Sequence, residues 1–196
     1  IMDPAEGWLA CGITGVGRLP EPEAIVDWLE SKMCSTNELE GTTILVTAGG
    51  TQESIDPVRY IGNRSSGKMG YAIAEQAARM GAKVILVSAP TSLPIPSGVD
   101  FISVDSAVSM QEAVEACYND VNVVIMAAAV SDFRVLHKAE QKIKKMESMT
   151  IELVKNPDIL QGLGSKKSHQ ILVGFAAETE HVIKYGQDKV AKKNLD

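Results

Sequence analysis

The chain has few cysteines and no long apolar run. Only three cysteines occur among its 196 residues, far apart at Cys11, Cys34 and Cys117. Without a C-x-x-C pair, neither a disulfide framework nor a zinc site is expected, and a reducing compartment is the natural setting. No apolar stretch approaches the ~20 residues that cross a bilayer, and nothing resembles a signal peptide. We therefore expect a soluble, cytoplasmic protein that does not enter a membrane.

Two further absences exclude classes of function. The formal net charge is -6, which argues against a general nucleic-acid binder. The dinucleotide fingerprint G-x-G-x-x-G is missing, because Ala48-Gly49-Gly50-Thr51 lacks the later glycine. A nicotinamide-dependent dehydrogenase is therefore disfavoured. We find no internal repeat and no low-complexity tract.

From Thr42 onward the sequence alternates short apolar runs with helical periods. The runs predict buried strands at 43–47, 83–88, 101–104, 121–129 and 170–175, and the periods predict helices at 69–80, 106–118 and 180–194, with a further helix opened by Asn156. A strand at 150–154 is also possible from its alternation. This pattern predicts an α/β, Rossmann-like fold, a mostly parallel sheet with helices on both faces.

Residues 1–40 have a different character. The first eighteen are rich in glycine and show neither a strand nor a helix period, and a helix is expected to start at Pro22. A polar linker follows at 35–41. Because a loop and one helix cannot bury a core, this segment is either the tail of another domain, a docking arm, or a flexible N-terminus.

The segment between the first buried strand and its helix is unusually long for an α/β unit. Within it, Gly62–Met69 matches G-x-x-x-x-G-K by spacing, but Met69 stands where a magnesium-binding hydroxyl belongs, so a Walker A loop is improbable. Ser65, Ser66 and Gly67 still place backbone N–H groups at a helix start. They form either an anion site or an ordinary capped helix, and spacing alone does not separate the two.

The fourth predicted strand ends in small residues followed by Asp132. Small side chains let a flat ligand approach the backbone, and a carboxylate at this edge can bind a ribose hydroxyl or a hydrated metal. The alternative is close helix packing over the alanines, with Asp132 as a helix cap.

Two groups of lysines have the same ambiguity. The run Lys142–Lys145 is either a solvated face or a lid that brings lysine onto phosphate charge. Lys189 and Lys193 share one helix face, so they either grip a polyphosphate or face solvent.

Taken together, several blocks carry a resemblance to a known family. In chain order they are 49–51, 56–70, 127–134, 142–145, 155–160 and 174–179. They resemble bacterial phosphopantothenoylcysteine synthetase, the ligase half of a bifunctional coenzyme A biosynthesis protein, over residues 41–196. Residues 10–19 resemble the end of the flavin-dependent decarboxylase half, so residues 1–40 would be its C-terminal tail and a linker.

The resemblance implies a ligase that joins 4′-phosphopantothenate to L-cysteine. The carboxylate would attack the α-phosphorus of CTP, with Mg²⁺ on the triphosphate, to give an acyl-cytidylate and pyrophosphate. Cysteine would then displace CMP. FMN would belong to the decarboxylase half, joined covalently in the full-length chain, and is not expected to bind this segment alone. The family continues with a further strand, so the ligase domain is expected to be C-terminally incomplete here.

The resemblance also implies roles for individual residues. Asn63 matches the residue that processes the acyl-cytidylate, Lys142 the lid lysine on the triphosphate, and Cys11 the proton donor of the decarboxylase half. The CTP-binding positions would be Met126, Ala127, Ala128, Asp132, Lys142, Pro157, Asp158, Ile159, Leu160, Phe175, Lys189 and Lys193. Asp132 would also contact the metal. Apart from the resemblance, Arg59 and Arg64 are expected near the phosphopantothenate phosphate on charge alone, and Asn63 is expected to contact the same substrate.

A homodimer is implied, in which Asn63 serves its own or the partner's nucleotide site. Two other functions remain open, a non-catalytic nucleotide-binding fragment and, less favoured, a Rossmann-type reductase.

Overall fold

The computed structural model describes residues 1–9, 11–33, 37–176 and 182–196. It begins with an antiparallel hairpin, β1 (Ala5–Trp8) and β2 (Thr14–Arg18), followed by helix α1 (Pro22–Met33). The start of α1 agrees with the prediction. The expectation that the first eighteen residues lack strands is wrong. Glycines hide the strand signal, because they leave little alternation of apolar and polar side chains, while the backbone still pairs.

The remaining elements follow the predicted alternation. They are β3 (Thr43–Ala48), β4 (Gln52–Ser54), β5 (Tyr60–Gly62), α2 (Lys68–Arg79), β6 (Lys83–Ser88), β7 (Val99–Ser103), α3 (Ala107–Cys117), β8 (Val123–Met126), β9 (Phe133–Val135), β10 (Leu153–Lys155), α4 (Ile159–Ser165), β11 (Ile171–Gly174) and α5 (Val182–Lys193). Five of the strands form one parallel sheet in the order β11-β8-β3-β6-β7. The predicted fold class is therefore confirmed.

Both faces of the central strands are buried, as a parallel sheet with helices on both sides requires. On one face Leu45 and Val124 pack with side chains of α3 and α4. On the other face Val46 and Leu86 pack against α2, whose Ala74 is fully buried. Alternate residues of one strand thus enter different cores, which fixes the register of β3 within the sheet.

Two small antiparallel strand pairs lie in the segments that follow β3 and β8. β4 pairs with β5 in the segment between β3 and α2, and β9 pairs with β10 in the segment between β8 and α4. The sequence predicted neither β4–β5 nor β9, because strands of three residues are too short to show a period. The β10 strand falls near the possible strand at 150–154.

Some predicted boundaries need correction. β8 ends at Met126 rather than residue 129, and Asp158, not Asn156, caps α4. Gly81, which follows the C-cap residue Met80 of α2, has a left-handed φ of 90°, as is common for a glycine just after a helix. Predictions for Cys34, the start of the linker, the 177–179 block and the beginning of the last helix at 180 fall outside the described residues. None of the helices in the described ranges is long and apolar enough to cross a membrane.

Candidate functional site

A cavity of about 190 Å³ opens where β8 and β11 end, and we call it the strand-end cavity. Its lining residues are Met126, Ala128, Val130, Ser131, Asp132, Lys155, Asn156, Pro157, Asp158, Ile159, Leu160, Phe175, Lys189 and Lys193. Every predicted CTP-binding residue is among them except Ala127 and Lys142. Residues from four separate parts of the sequence therefore meet at one edge of the sheet, as expected for ligand binding in an open α/β fold.

Hydrogen bonds fix the backbone of this edge. The N–H of Ala128 donates to Thr47 Oγ1 at 3.1 Å, which ties the end of β8 to β3. The buried Asn156 donates through Nδ2 to the carbonyl of Ser131 at 2.8 Å, and its own N–H donates to the carbonyl of Asp132 at 2.7 Å. Asp132 caps no helix and lies exposed at the cavity, so the helix-cap alternative for this residue is wrong.

The Ser131 hydroxyl is buried and finds no hydrogen-bond partner in the parts of the chain that the structure describes. A buried hydroxyl of this kind needs a ligand or a water molecule to satisfy it.

Two lysines of α5, Lys189 and Lys193, line the strand-end cavity and are half-buried, whereas Lys184 and Lys192 of the same helix are exposed. Lys193 Nζ lies 2.7 Å from one oxygen of Asp158 and 2.9 Å from the other. Burial opposes ionisation of Asp158, but the hydrogen bonds from Lys193 and from the N–H of Gln161 outweigh it, so the pKa of Asp158 lies below its ordinary value. Lys189 and Lys155 also line the cavity, so three lysine side chains border it.

A second cavity, of about 480 Å³, lies beside the β4–β5 hairpin, and we call it the hairpin cavity. It is lined by Gly50, Thr51, Gln52, Tyr60, Asn63, Ser65, Ser66, Lys68, Pro90, Thr91, Ser92 and Leu93. The start of α2 borders this cavity. Its N-cap, Gly67, has a left-handed φ of 75° and provides no side-chain cap, which leaves the N–H groups of the first turn for another acceptor.

The walls of the two cavities are joined by hydrogen bonds near the place where β3 lies next to β8. Gly50 forms a bridge with Ala129, and Thr51 Oγ1 accepts the N–H of Ser131 at 2.9 Å. Asn63, in the wall of the hairpin cavity, donates through Nδ2 to the carbonyl of Val130, in the wall of the strand-end cavity, at 3.2 Å. This junction is the point where the strand order of the sheet reverses.

Arg59, Arg64 and Lys142 are predicted site residues that line neither of these two cavities. Lys142, Lys144 and Lys145 line a separate recess with Ile143 and Arg59. The Arg59 guanidinium contacts Asp56 and the carbonyl of Ile143. Arg64 is exposed on the hairpin side. The structure therefore does not place Lys142 at the strand-end cavity, and neither Arg59 nor Arg64 lines the hairpin cavity.

The described residues contain no group of three or more histidine, cysteine, aspartate or glutamate side chains that could hold a metal. Asp132 offers one carboxylate at the strand-end cavity. Cys11 is exposed and unpaired in the turn between β1 and β2, remote in the chain from the cavities.

Sequence reasoning missed several residues of the site. Asn156 was interpreted as a helix cap. Its side chain instead donates to the carbonyl of Ser131 and so joins the segment before α4 to the segment after β8. Thr51 and Ser131 lacked any signal beyond their position after buried strands. Only the parallel pairing of β3 with β8 brings those two together.

Comparison with known proteins supports a single family. The family model described as the DNA/pantothenate metabolism flavoprotein C-terminal domain matches residues 39–196. A Bacillus subtilis (strain 168) protein named "Coenzyme A biosynthesis bifunctional protein CoaBC" is 50% identical over 199 residues, covering 100% of this chain and 49% of that protein. The chain thus spans about half the length of such relatives.

Solved structures give the same result. The crystal structure of the C-terminal domain of a coenzyme A biosynthesis bifunctional protein CoaBC has 49% identity and a TM-score of 0.74, covering 82% of this chain and 76% of that one. A Cab2 mutant in complex with phosphopantothenate-cysteine has 19% identity and a TM-score of 0.62, covering 90% of this chain and 79% of that one. At 19% identity the second likeness concerns the fold alone.

Proposed function

Because the chain belongs to the family of DNA/pantothenate metabolism flavoprotein C-terminal domains, we propose that it is the ligase part of a coenzyme A biosynthesis enzyme. In this proposal it joins 4′-phosphopantothenate to L-cysteine at the expense of CTP. The relatives named for coenzyme A biosynthesis support the pathway, and the chemistry of the two cavities supports the two half-reactions.

CTP is assigned to the strand-end cavity. Ala128 leaves room for a nucleotide against the backbone, and the ring of Phe175 offers a flat apolar surface to a base. Lys189 and Lys193 supply positive charge for the triphosphate. Lys193 would exchange Asp158 for a phosphate oxygen, since a triphosphate offers more negative charge than one carboxylate.

Mg²⁺ is assigned to the CTP rather than to a site built by the protein alone. The cavity offers the carboxylates of Asp132 and Asp158, and Asp158 is paired with Lys193, so Asp132 is the one left to Mg²⁺, which is usually bound by one or two carboxylates together with substrate phosphates. When bound, the ion would neutralise charge on the departing pyrophosphate.

Phosphopantothenate is assigned to the hairpin cavity, with its phosphate near the start of α2 and Lys68. Its carboxylate would then lie at the junction of the cavities. A carboxylate oxygen attacks the α-phosphorus of CTP, the bond to the β-phosphate oxygen breaks, and pyrophosphate leaves. The cysteine amine next attacks the acyl carbon, loses a proton, and displaces CMP.

Asn63 is assigned to the second step. Its amide is a neutral donor that can hold the acyl oxygen while negative charge grows on it. The contact between Asn63 and Val130 carries the whole proposal, because it places this amide at the boundary of the two cavities in the same chain. It also supports a role for Asn63 in its own chain's site within the expected homodimer.

The other half of the longer relatives would hold FMN and carry out the decarboxylation, with Cys11 as proton donor. This part of the proposal rests on the resemblance of residues 10–19 alone. The family description names a flavoprotein, which is compatible with it.

The proposed function is tested by following pyrophosphate and CMP separately. With CTP, Mg²⁺ and phosphopantothenate, pyrophosphate should appear in an amount equal to the enzyme, and CMP should appear only after cysteine is added. Tight CTP binding without pyrophosphate release would contradict the ligase and favour a non-catalytic nucleotide-binding protein. A titration with NADPH checks the reductase alternative, for which no binding is expected.

A further inference from the structure

Asp56 is a buried carboxylate outside both cavities. It lies in the turn between β4 and β5, and its side chain is 0% exposed. Its Oδ1 accepts the N–H groups of Val58 and Arg59, each at 2.8 Å. Its Oδ2 accepts the N–H of Ile143 at 3.1 Å and lies 3.2 Å from Arg59 Nε. Four donors therefore satisfy a charged group that would be costly to bury alone.

Arg59 completes a clamp on Ile143. Its Nη2 donates to the carbonyl of Ile143, so the N–H and the carbonyl of that residue are both held by the Asp56–Arg59 pair. The N–H of Ala139 donates to the carbonyl of Ile55 at 2.9 Å. The segment 139–143 is thus fixed to the hairpin turn at both of its ends.

Asp56 and Arg59 make more hydrogen bonds than the turn between β4 and β5 requires. The N–H groups of Val58 and Arg59 are sufficient to form the turn with Oδ1. Oδ2 and the guanidinium instead reach a part of the chain more than eighty residues away, next to Lys142. On the other side, β5 leads directly from this turn to Asn63.

We propose that Asp56 is a positioning residue that holds Lys142 in register with the hairpin carrying Asn63. This inference rests on the ligase function proposed above and on the role of lid lysine on the triphosphate that the family resemblance implies for Lys142, which lines a recess of its own beside Arg59. Asp56 does not touch the substrates. It fixes the backbone position from which the Lys142 side chain extends. It also restricts the movement of the lysine-rich segment.

The test compares Asp56→Asn with Asp100→Asn in the full-length protein. Asparagine keeps an oxygen for the turn but presents an amide NH₂ to Ile143 and Arg59, whereas Asp100 is an exposed carboxylate on β7 at the far edge of the sheet. In Asp56→Asn, hydrogen exchange at 139–145 should accelerate about tenfold or more, while peptides from α2 stay protected. The kcat for pyrophosphate release should fall about tenfold or more, because misplacement by about 1 Å is costly, while the KM for cysteine stays unchanged. Asp56→Glu should restore part of the rate.

A second pair of variants keeps the test valid if Asp56→Asn does not fold. Ile143→Pro removes the N–H that binds Asp56 without touching the hairpin, and it should reproduce both effects. Ser148→Pro is the control, since the N–H of Ser148 has no partner within the described ranges.

If hydrogen exchange at 139–145 stayed at the wild-type rate in both Asp56→Asn and Ile143→Pro, the proposal that Asp56 anchors this segment would be wrong. Faster exchange with unchanged pyrophosphate release would overturn the positioning role. Absence of pyrophosphate release in the wild type would overturn the proposed function and the role of Lys142 with it, while the exchange rates alone would still decide whether Asp56 anchors the segment.

Discussion

Replacement of Gly70 by alanine tests how closely α2 must approach β3 for the hairpin cavity to form. A Cβ at this position would lie 2.7 Å from the Cβ of Ala48 and 2.8 Å from the carbonyl oxygen of Thr47. Normal carbon contacts are about 3.5–4.0 Å, so the helix would have to retreat by about 1 Å. Such overpacking costs about 1–3 kcal/mol. Alanine recovers up to about 1 kcal/mol in helix propensity.

The net expectation for Gly70→Ala is a loss of about 1–2 kcal/mol in the free energy of unfolding, or about 2–8 °C in Tm for a chain of this size. Urea unfolding measures the first quantity. The matched control is Gly186→Ala in α5, where a Cβ would meet nothing within 4 Å. That variant should gain about 0.5–1 kcal/mol.

The displaced helix should also weaken binding at the hairpin cavity, since the first turn of α2 borders it. Gly70→Ala should therefore raise the KM for phosphopantothenate while the affinity for CTP changes little. If Gly70→Ala proved neutral or stabilising, as expected of Gly186→Ala, the close packing of α2 on β3 would not be what shapes this cavity.

The remaining predictions concern the strand-end cavity and its junction. Lys193→Met should weaken CTP binding about tenfold or more in calorimetry, because a charge-assisted contact is lost, whereas Lys192→Met on the exposed side of α5 should bind normally. Asn63→Asp should release pyrophosphate but stall before CMP, and normal turnover would exclude the assigned role. Mixing Asn63→Asp and Lys193→Met chains should restore no activity if each site is built from one chain. Recovery would instead place Asn63 in the partner's site. Because the pKa of Asp158 is lowered in the folded state, its ion pair with Lys193 stabilises the fold above the ordinary pKa range of an aspartate, and this contribution is lost as the pH falls from that range through the lowered value. Acid unfolding of Lys193→Met should therefore show a weaker pH dependence over that range than the wild type.

The sheet could be predicted from the sequence because its strands are apolar on both faces. Runs such as 83–88 are short and rich in valine and isoleucine, which favours a buried strand over a helix. The family resemblance, read from ordered motifs, is confirmed by the match over residues 39–196. The small hairpins could not be predicted from the sequence, because a strand of three residues shows no period and the pairing depends on contacts between residues distant in sequence.

The candidate site was predicted in part for the same reason. Asp132 and Phe175 each follow a buried strand, and parallel strands bring such positions to one edge. The role of Asp56 had no local signal, because Asp-Pro is an ordinary turn sequence and its partner Ile143 lies far along the chain. Arg59 was assigned to phosphate on charge alone, whereas the structure engages it with Asp56.

The central claim is that a carboxylate from the hairpin cavity meets the α-phosphorus of CTP in the strand-end cavity. The most direct measurement uses phosphopantothenate with ¹⁸O in both carboxylate oxygens and follows the label by mass spectrometry after cysteine is added. We predict one ¹⁸O in the phosphate of the released CMP and one in the amide product. Amide formation that leaves CMP unlabelled would contradict the acyl-cytidylate and the two-cavity mechanism with it.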